Sequence, residues 1–318
     1  MSQADPIVIA HRGASAYLPE HSLASKAMAH AMGADFLEQD VVLTRDGEAI
    51  VLHDIYLEST TDVALRFPDR ARGDGRYYAI DFDLAEIQQL SLHERSYLDE
   101  EGQDRAYYPK RFPLGSCDFK LPTLEDEIQL IAGMNQSRGK TTGLYVELKA
   151  PRWHLQQGQD IGPAILSVLE RTGYADKGDQ VFLQCFDDQT LINLRTKTDL
   201  PMIQLIGDNS WGEDGGVDYD AMRTPAGIAR VATYAQGIGP WIPQVIQPGN
   251  NGLEATALTR MAQDHNLLVH PYTLRADELP EAVEHVDELH HALFKTAGVD
   301  GLFTDFTDLT VSYLDRNP

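Results

Sequence analysis

Asp35-Phe36-Leu37-Glu38-Gln39-Asp40-Val41-Val42-Leu43 carries two carboxylates, two positions apart, within an otherwise largely apolar run. Read as a β-strand, the run puts Glu38 and Asp40 on one face and Leu37 and Val41 on the other. The apolar face suits packing against helices, which turns the charged face toward an enclosed interior. Upstream, Ile7-Val8-Ile9-Ala10 is a short apolar strand that ends at His11-Arg12-Gly13. A helix is predicted between the two strands. Ser22 suits its N-cap, Leu23, Ala27, Met28 and Ala31 share a face, and Gly33 suits the C′ position. Downstream, Arg45-Asp46-Gly47 reads as a turn and Ala49 to His53 as a third strand.

The alternation continues to the end of the chain. Leu144–Leu148, Val181–Phe186, Met202–Ile206, Gly237–Gly239, Leu267–Tyr272 and Leu302–Thr304 are further strand candidates. A helix is predicted near Leu124–Ile131, and others over 161–171, 187–197, 253–265 and 281–297. Strands alternating with helices predict a parallel sheet. Nine strand candidates in 318 residues fit a TIM (β/α)8 barrel with one candidate outside the ring. An open doubly wound sheet is the alternative, but no G-x-G-x-x-G follows the first strand and no P-loop occurs. The chain therefore reads as one barrel domain, 1–318, interrupted by an insertion at 55–120 after the third strand. That insertion holds 10 of the 26 aromatic residues, which predicts an ordered segment over one mouth of the barrel and not a flexible linker.

Charge narrows the partners. The net charge of −23 opposes a sequence-independent grip on nucleic acid and a polybasic membrane patch, and no apolar run is long enough to cross a bilayer. Most of the excess acidity after residue 200 reads as solvated surface. Cys117 and Cys185 lack metal-ligand spacing and are expected to be free thiols, Cys185 buried in a strand. The N-terminal residues do not read as a secretory signal. The expectation is thus a cytoplasmic protein or a mature exported form.

Tyr145, Glu147 and Lys149 share the inward face of a second strand, Leu144-Tyr145-Val146-Glu147-Leu148-Lys149. A carboxylate taken singly fits an ion pair with Arg12 or Lys149. Three near one mouth, Glu38, Asp40 and Glu147, point to a hard divalent cation held by oxygen ligands, Ca2+ or Mg2+. His11 closes the first strand in phase with Ile7 and Ile9, and His53 closes the third in phase with Val51. Catalytic groups in a barrel come from such strand ends. Two imidazoles there can serve as general acid and base about a phosphorus centre, with Arg12 and Lys149 facing the non-bridging oxygens. Asp54, adjacent to His53 on a strand, is expected to point to the opposite face. Glu20 either braces Arg12 or starts the helix. His285, His290 and His291 are read as solvated residues of a helix.

Ile9-Ala10-His11-Arg12-Gly13-Ala14, Leu18-Pro19-Glu20-His21, Glu38-Gln39-Asp40, Val51-Leu52-His53-Asp54 and Val146-Glu147-Leu148-Lys149 together resemble the glycerophosphodiester phosphodiesterases. The resemblance continues through Leu183–Asp187, Val269–Thr273 and Gly301–Asp305, nearly the whole chain. The block Thr61–Asp81 is similar to the longer, bacterial periplasmic branch of the family. This resemblance implies a TIM barrel of the phospholipase-C-like phosphodiesterase type, with an inserted cap segment. It implies hydrolysis of small-molecule glycerophosphodiesters to sn-glycerol 3-phosphate and an alcohol, in glycerol and phospholipid catabolism. It further implies one divalent cation, Ca2+ before Mg2+, on Glu38, Asp40 and Glu147, with His11 and His53 as the acid–base pair. Arg12 and Lys149 would lie near the phosphate, and Gln184 and Tyr272, with Phe186 and Phe303, are candidates for lining the glycerol pocket or its exit. Attack by the glycerol 2-hydroxyl would give a cyclic phosphate that water then opens. Two rivals are a barrel phosphodiesterase that cleaves whole phospholipids and a glycerophosphate-binding protein. No nucleic acid and no stable membrane association are expected. The branch resembled implies a periplasmic mature form, with a cytoplasmic one as the alternative. The 55–120 insertion could cap the site or form the contact of a homodimer.

Overall fold

The computed structural model describes residues 5–211, 216–249 and 252–318. In chain order its strands are β1 (Ile7–Ala10), β2 (Phe36–Leu43), β3 (Ala49–Val51), β4 (Ser96–Leu98), β5 (Asp104–Ala106), β6 (Gly143–Leu148) and β7 (Val181–Cys185), followed by β8 (Met202–Ile206), β9 (Gly237–Pro240), β10 (Ile246–Gly249), β11 (Gly252–Ala255), β12 (Leu268–Val269) and β13 (Gly301–Thr304). The strands β12-β9-β8-β7-β6-β2-β1-β13 follow one another as parallel neighbours. Asp300 N–H donates to Val269 O at 3.0 Å, Phe303 N–H to Pro271 O at 3.0 Å and Leu274 N–H to Phe303 O at 2.8 Å, which brings the two ends of the ring together. The fold is a TIM barrel.

The third strand is the one that stays outside the ring. β3 pairs antiparallel with the upper half of β2, Val41 opposite Val51 and Leu43 opposite Ala49. His53 therefore does not close a barrel strand, as its phase with Val51 predicts. The β2–β3 hairpin rises above the barrel mouth and folds back, and Leu52 N–H donates to Asp40 O at 2.9 Å. The return leg delivers His53 over the mouth from above.

Two apolar layers follow from the strand period. Leu37, Val41, Leu144, Val146 and Leu148 face outward into the large core shared with the helices. Ile9, Phe36, Tyr145, Ile203 and Phe303 face inward and fill the barrel. The insertion has a core of its own. Leu57, Val63, Tyr77, Phe82, Ile87 and Leu92 pack with Val42, Ile50 and Leu52 of the raised hairpin. The hairpin thus roots this segment beside the mouth.

The helix predicted after β1 spans Leu23–Met32, capped by Ser22, whose side chain accepts from Ser25 N–H, and ended by Gly33 at φ 97°. The 253–265 stretch divides instead into β11, which pairs antiparallel with β10, and a short helix, Leu258–Gln263. The described residues contain no helix long and apolar enough to cross a membrane. Cys117 and Cys185 are free thiols, the first exposed and the second buried.

Candidate active site

Strand register sets the heights of the side chains at the C-terminal mouth. Asp40 is level with Glu147, and Glu147 with Gln184, across β2, β6 and β7. Three residues lower on β2, Leu37 is level with Ala10, which is level with Thr304, so His11 emerges between Glu38 and Asp305. A cavity of about 270 Å³ at this mouth is lined by His11, Arg12, Glu38, Asp40, His53, Glu147, Lys149, Gln184 and Tyr272. Phe186 and Phe303 line it too, so the eleven side chains read from the sequence as catalytic, phosphate-binding, metal-binding or pocket-lining meet in that one space.

The turn after β1 depends on backbone conformations that few residues adopt. Arg12 has φ 59° and Gly13 φ 89°. A Cβ on Gly13 would lie 2.5 Å from Ser25 Oγ, so only glycine lets the loop close against the following helix. The turn aims Arg12 N–H at Glu38 Oε2, 2.6 Å away. The Arg12 side chain donates from Nη1 to both Glu20 oxygens at 3.1 Å, and its Nε lies 3.3 Å from Asp40. Glu20 therefore braces Arg12. Burial raises the Glu20 pKa, but Arg12 and Arg95 outweigh it and hold the carboxyl well below the usual range.

Each histidine has its own carboxylate. His11 Nδ1 lies 2.6 Å from Asp305 Oδ1, and His53 Nδ1 lies 2.6 Å from Asp54 Oδ1. With Nδ1–H donating to a carboxylate, Nε2 of each ring is the nitrogen left for proton exchange in the cavity. Burial first and Arg12 second lower both pKa values, against the opposing effect of Asp305 and Asp54, to about 4. The Asp54 contact corrects the strand-based expectation. The chain bends at His53-Asp54, so alternation no longer places neighbours on opposite faces.

Glu38, Asp40 and Glu147 are almost fully buried. Burial and the neighbouring Asp40 charge push the Glu38 pKa well up. Burial first, and Asp40 in opposition to Lys149, take Glu147 to about 8. Asp40 is held low by Lys149, His53, His21 and Arg12 against the effect of burial. Lys149 Nζ sits 2.8 Å from Glu147 Oε1 and 3.8 Å from Asp40 Oδ1. Among the described residues, Asp40 Oδ1 and Gln184 Oε1 are buried acceptors with no hydrogen-bond donor, and Gln184 Nε2 reaches Glu38 Oε1 at 3.5 Å. Crowded buried carboxylates with an orphaned oxygen among them fit a hard divalent cation.

The sequence reasoning missed His21. Its ring lies with Glu38 and Asp40, ligand-capable atoms of the three within 4.8 Å of one another. Lys26, fully buried, approaches His21 Nδ1 at 3.3 Å and also bonds Glu38 O and Glu127. An ammonium can only donate, so Nδ1 is the acceptor and Nε2–H donates to Asp40 Oδ2 at 2.8 Å. His21 in this tautomer orients Asp40 and is not itself a ligand. Glu20-His21 stands within one of the resemblance motifs, which was the available signal. Also missed were Arg95, which bonds Asp54 at 2.7 Å and Glu20 at 2.7 and 3.1 Å, and Arg111 and Arg275, 2.8 and 3.0 Å from Asp305. His290, read as solvated, is buried instead, stacked on Phe294 and Tyr313.

A parallel eight-stranded barrel with its polar chemistry gathered at the C-terminal mouth defines a TIM-barrel enzyme. The sequence comparisons are consistent in what they add. The family model described as the glycerophosphoryl diester phosphodiesterase family matches residues 11–309. A glycerophosphodiester phosphodiesterase of Haemophilus influenzae is 43% identical, covering 98% of this chain and 90% of its own. One from Treponema pallidum is 36% identical, covering 98% and 92%. An Oleispira antarctica phosphodiesterase, solved with the product sn-glycerol-3-phosphate, shares the fold at TM-score 0.64 and 21% identity, covering 98% of this chain and 97% of its own. The chain belongs to the glycerophosphoryl diester phosphodiesterase family, and its enzyme class is phosphoric diester hydrolase.

Proposed function

We propose that the protein hydrolyses glycerophosphodiesters to sn-glycerol 3-phosphate and an alcohol, with a divalent cation as cofactor and His11 and His53 as the acid–base pair. The observation that carries this reading is the paired arrangement of the histidines. Each Nδ1 is fixed by a carboxylate, Asp305 or Asp54, and both rings line one cavity with Arg12 and Lys149.

Glu38, Asp40 and Glu147 would hold the cation, Ca2+ before Mg2+. Bound there, it would offset the developing negative charge on phosphate and lower the pKa of a nearby hydroxyl. The chain's own groups do the rest. Arg12 and Lys149 hold the non-bridging oxygens and set the diester in line for attack by its own glycerol 2-hydroxyl. His53 Nε2 accepts the hydroxyl proton while His11, as the imidazolium that Asp305 stabilises, gives its Nε2 proton to the departing alkoxide. The P–O bond to the alcohol breaks as the bond to the 2-oxygen forms, giving a cyclic phosphate. Water then opens the ring with the histidine roles reversed.

The test is release of glycerol 3-phosphate from glycerophosphocholine with Ca2+, and with the protein stripped by EDTA. Release that depends on the metal, with a cyclic phosphate visible by 31P NMR, supports the scheme. No release with metal present defeats it.

A further inference from the structure

The mouth is divided into unlike halves. The histidines and carboxylates belong to β1, β2, β6 and the raised hairpin. Across the ring, the ends of β7, β8, β9 and β12 contribute Phe186, Leu205, Trp211, Trp241 and Tyr272 to the same cavity. Trp211 and Trp241 are large aromatic residues left 43% and 36% exposed, which is unusual for rings that could be buried. Their centroids lie 5.2 Å apart with the planes at 67°, so they form an open corner of two π-faces.

The corner is built, not incidental. Buried Gln244 accepts from Trp241 N–H at 3.1 Å and donates to Gly207 O at 2.7 Å, tying the Trp241 backbone to the end of β8. A Cβ on Gly207 would press within 3.2 Å of the Trp211 ring and 3.4 Å of Phe186, so the absence of a side chain lets the rings settle there. Tyr272 OH donates to Ile206 O at 2.9 Å, which stands its ring edge-on to Phe186. The lysine and arginines lining the cavity are each paired with a carboxylate, Lys149 with Glu147, Arg12 with Glu20 and Arg275 with Asp305.

We infer that the Trp211–Trp241 corner is the subsite for the departing alcohol and that it takes a quaternary ammonium. The inference rests on the hydrolase reading above. The glycerol, whose hydroxyls need polar partners, belongs on the carboxylate side, so the alcohol extends to the aromatic side. Two indole faces stabilise a methylated ammonium through the ring quadrupole, and a quaternary nitrogen needs no hydrogen-bond acceptor. The net charge of −23 acts in the same direction, since it disfavours an anionic diester against a zwitterionic one.

The experiment compares choline with 3,3-dimethyl-1-butanol, its uncharged isostere. Choline should change the tryptophan fluorescence saturably, the neutral alcohol at least about fivefold more weakly, and the choline response should disappear in Trp241→Leu. In turnover, the kcat/KM ratio of glycerophosphocholine to glycerophosphoglycerol should fall about tenfold in Trp241→Leu and Trp211→Leu, with Trp241→Phe keeping most of it. Equal binding of the two alcohols, or a ratio unchanged in the leucine variants, overturns the inference. The fluorescence arm needs no turnover. A choline response in a protein that hydrolyses no diester would therefore sink the hydrolase reading and leave the subsite standing.

Discussion

Arg95 donates from Nη1 to Asp54 Oδ2 at 2.7 Å, from a position forty-one residues further along the chain. Its Nε and Nη2 hold both oxygens of Glu20. One guanidinium of the inserted segment therefore fixes the carboxylate that orients His53 and the carboxylate that braces Arg12. A planar fork can serve two carboxylates at once, whereas an ammonium is a single point of charge. Arg95→Lys should lower kcat/KM about 10- to 100-fold with a modest loss of stability. Arg95→Ala leaves Glu20 with only Arg12 and Asp54 with only His53, and the lost charge-assisted hydrogen bonds should cost about 1.5–3 kcal/mol in urea unfolding. Wild-type kinetics in Arg95→Lys would refute this role.

Loss of either histidine should be severe but incomplete. His53→Ala and His11→Ala should each lower kcat by about 10²–10⁴, since positioning and charge stabilisation survive. Asp54→Asn and Asp305→Asn, which disturb tautomer and orientation, should lower kcat more than they raise KM. Steady-state kinetics at saturating Ca2+ decide the matter, and near-wild-type turnover by His53→Ala contradicts the assignment.

Cation binding should be visible without catalysis. Glu38, Asp40 and Glu147 raise one another's energy in the folded chain, so a ligand that neutralises them favours the folded state. Thermal melts are expected to shift upward, saturably, as Ca2+ is added to EDTA-treated protein. Asp40→Asn removes one ligand and should abolish the shift, and because Lys149, His21 and Arg12 hold Asp40 ionised, it should also lower the stability of the metal-free protein. A full Ca2+ shift in Asp40→Asn would show that the cation binds elsewhere.

Acid sensitivity should have a source far from the mouth. His290 is buried, with Nε2 bonded to Thr310 Oγ1 at 3.0 Å, and burial lowers its pKa to about 4. Between that value and the unfolded pKa of about 6.5, the unfolded chain binds a proton that the native one does not. Stability therefore falls as pH drops through this window, by roughly 2 kcal/mol at pH 5 from this group alone. His290→Gln should show a smaller loss between pH 7 and pH 5 in urea titrations. An identical pH slope in the two proteins would exclude His290 as a contributor.

What the sequence determined by itself is what local geometry dictates. A strand's period of two put Glu38 with Asp40, and Tyr145 with Glu147 and Lys149, on inward faces wherever the strands went. Strand–helix alternation then required a parallel sheet, and the candidates on ring strands reached the mouth because they stood near the ends of their runs. Partner choice lay beyond that reasoning. His11 meets Asp305 across 294 residues because the ring brings β13 against β1. His53 reaches the mouth on a hairpin that folds back, and its bond to Asp54 depends on a bend where strand periodicity ends. The tautomer of His21 is set by Lys26, buried from a helix outside the ring. Periodicity fixes the face a side chain presents, but only chain closure and packing decide what it meets there. The charge states of these buried groups follow from those meetings.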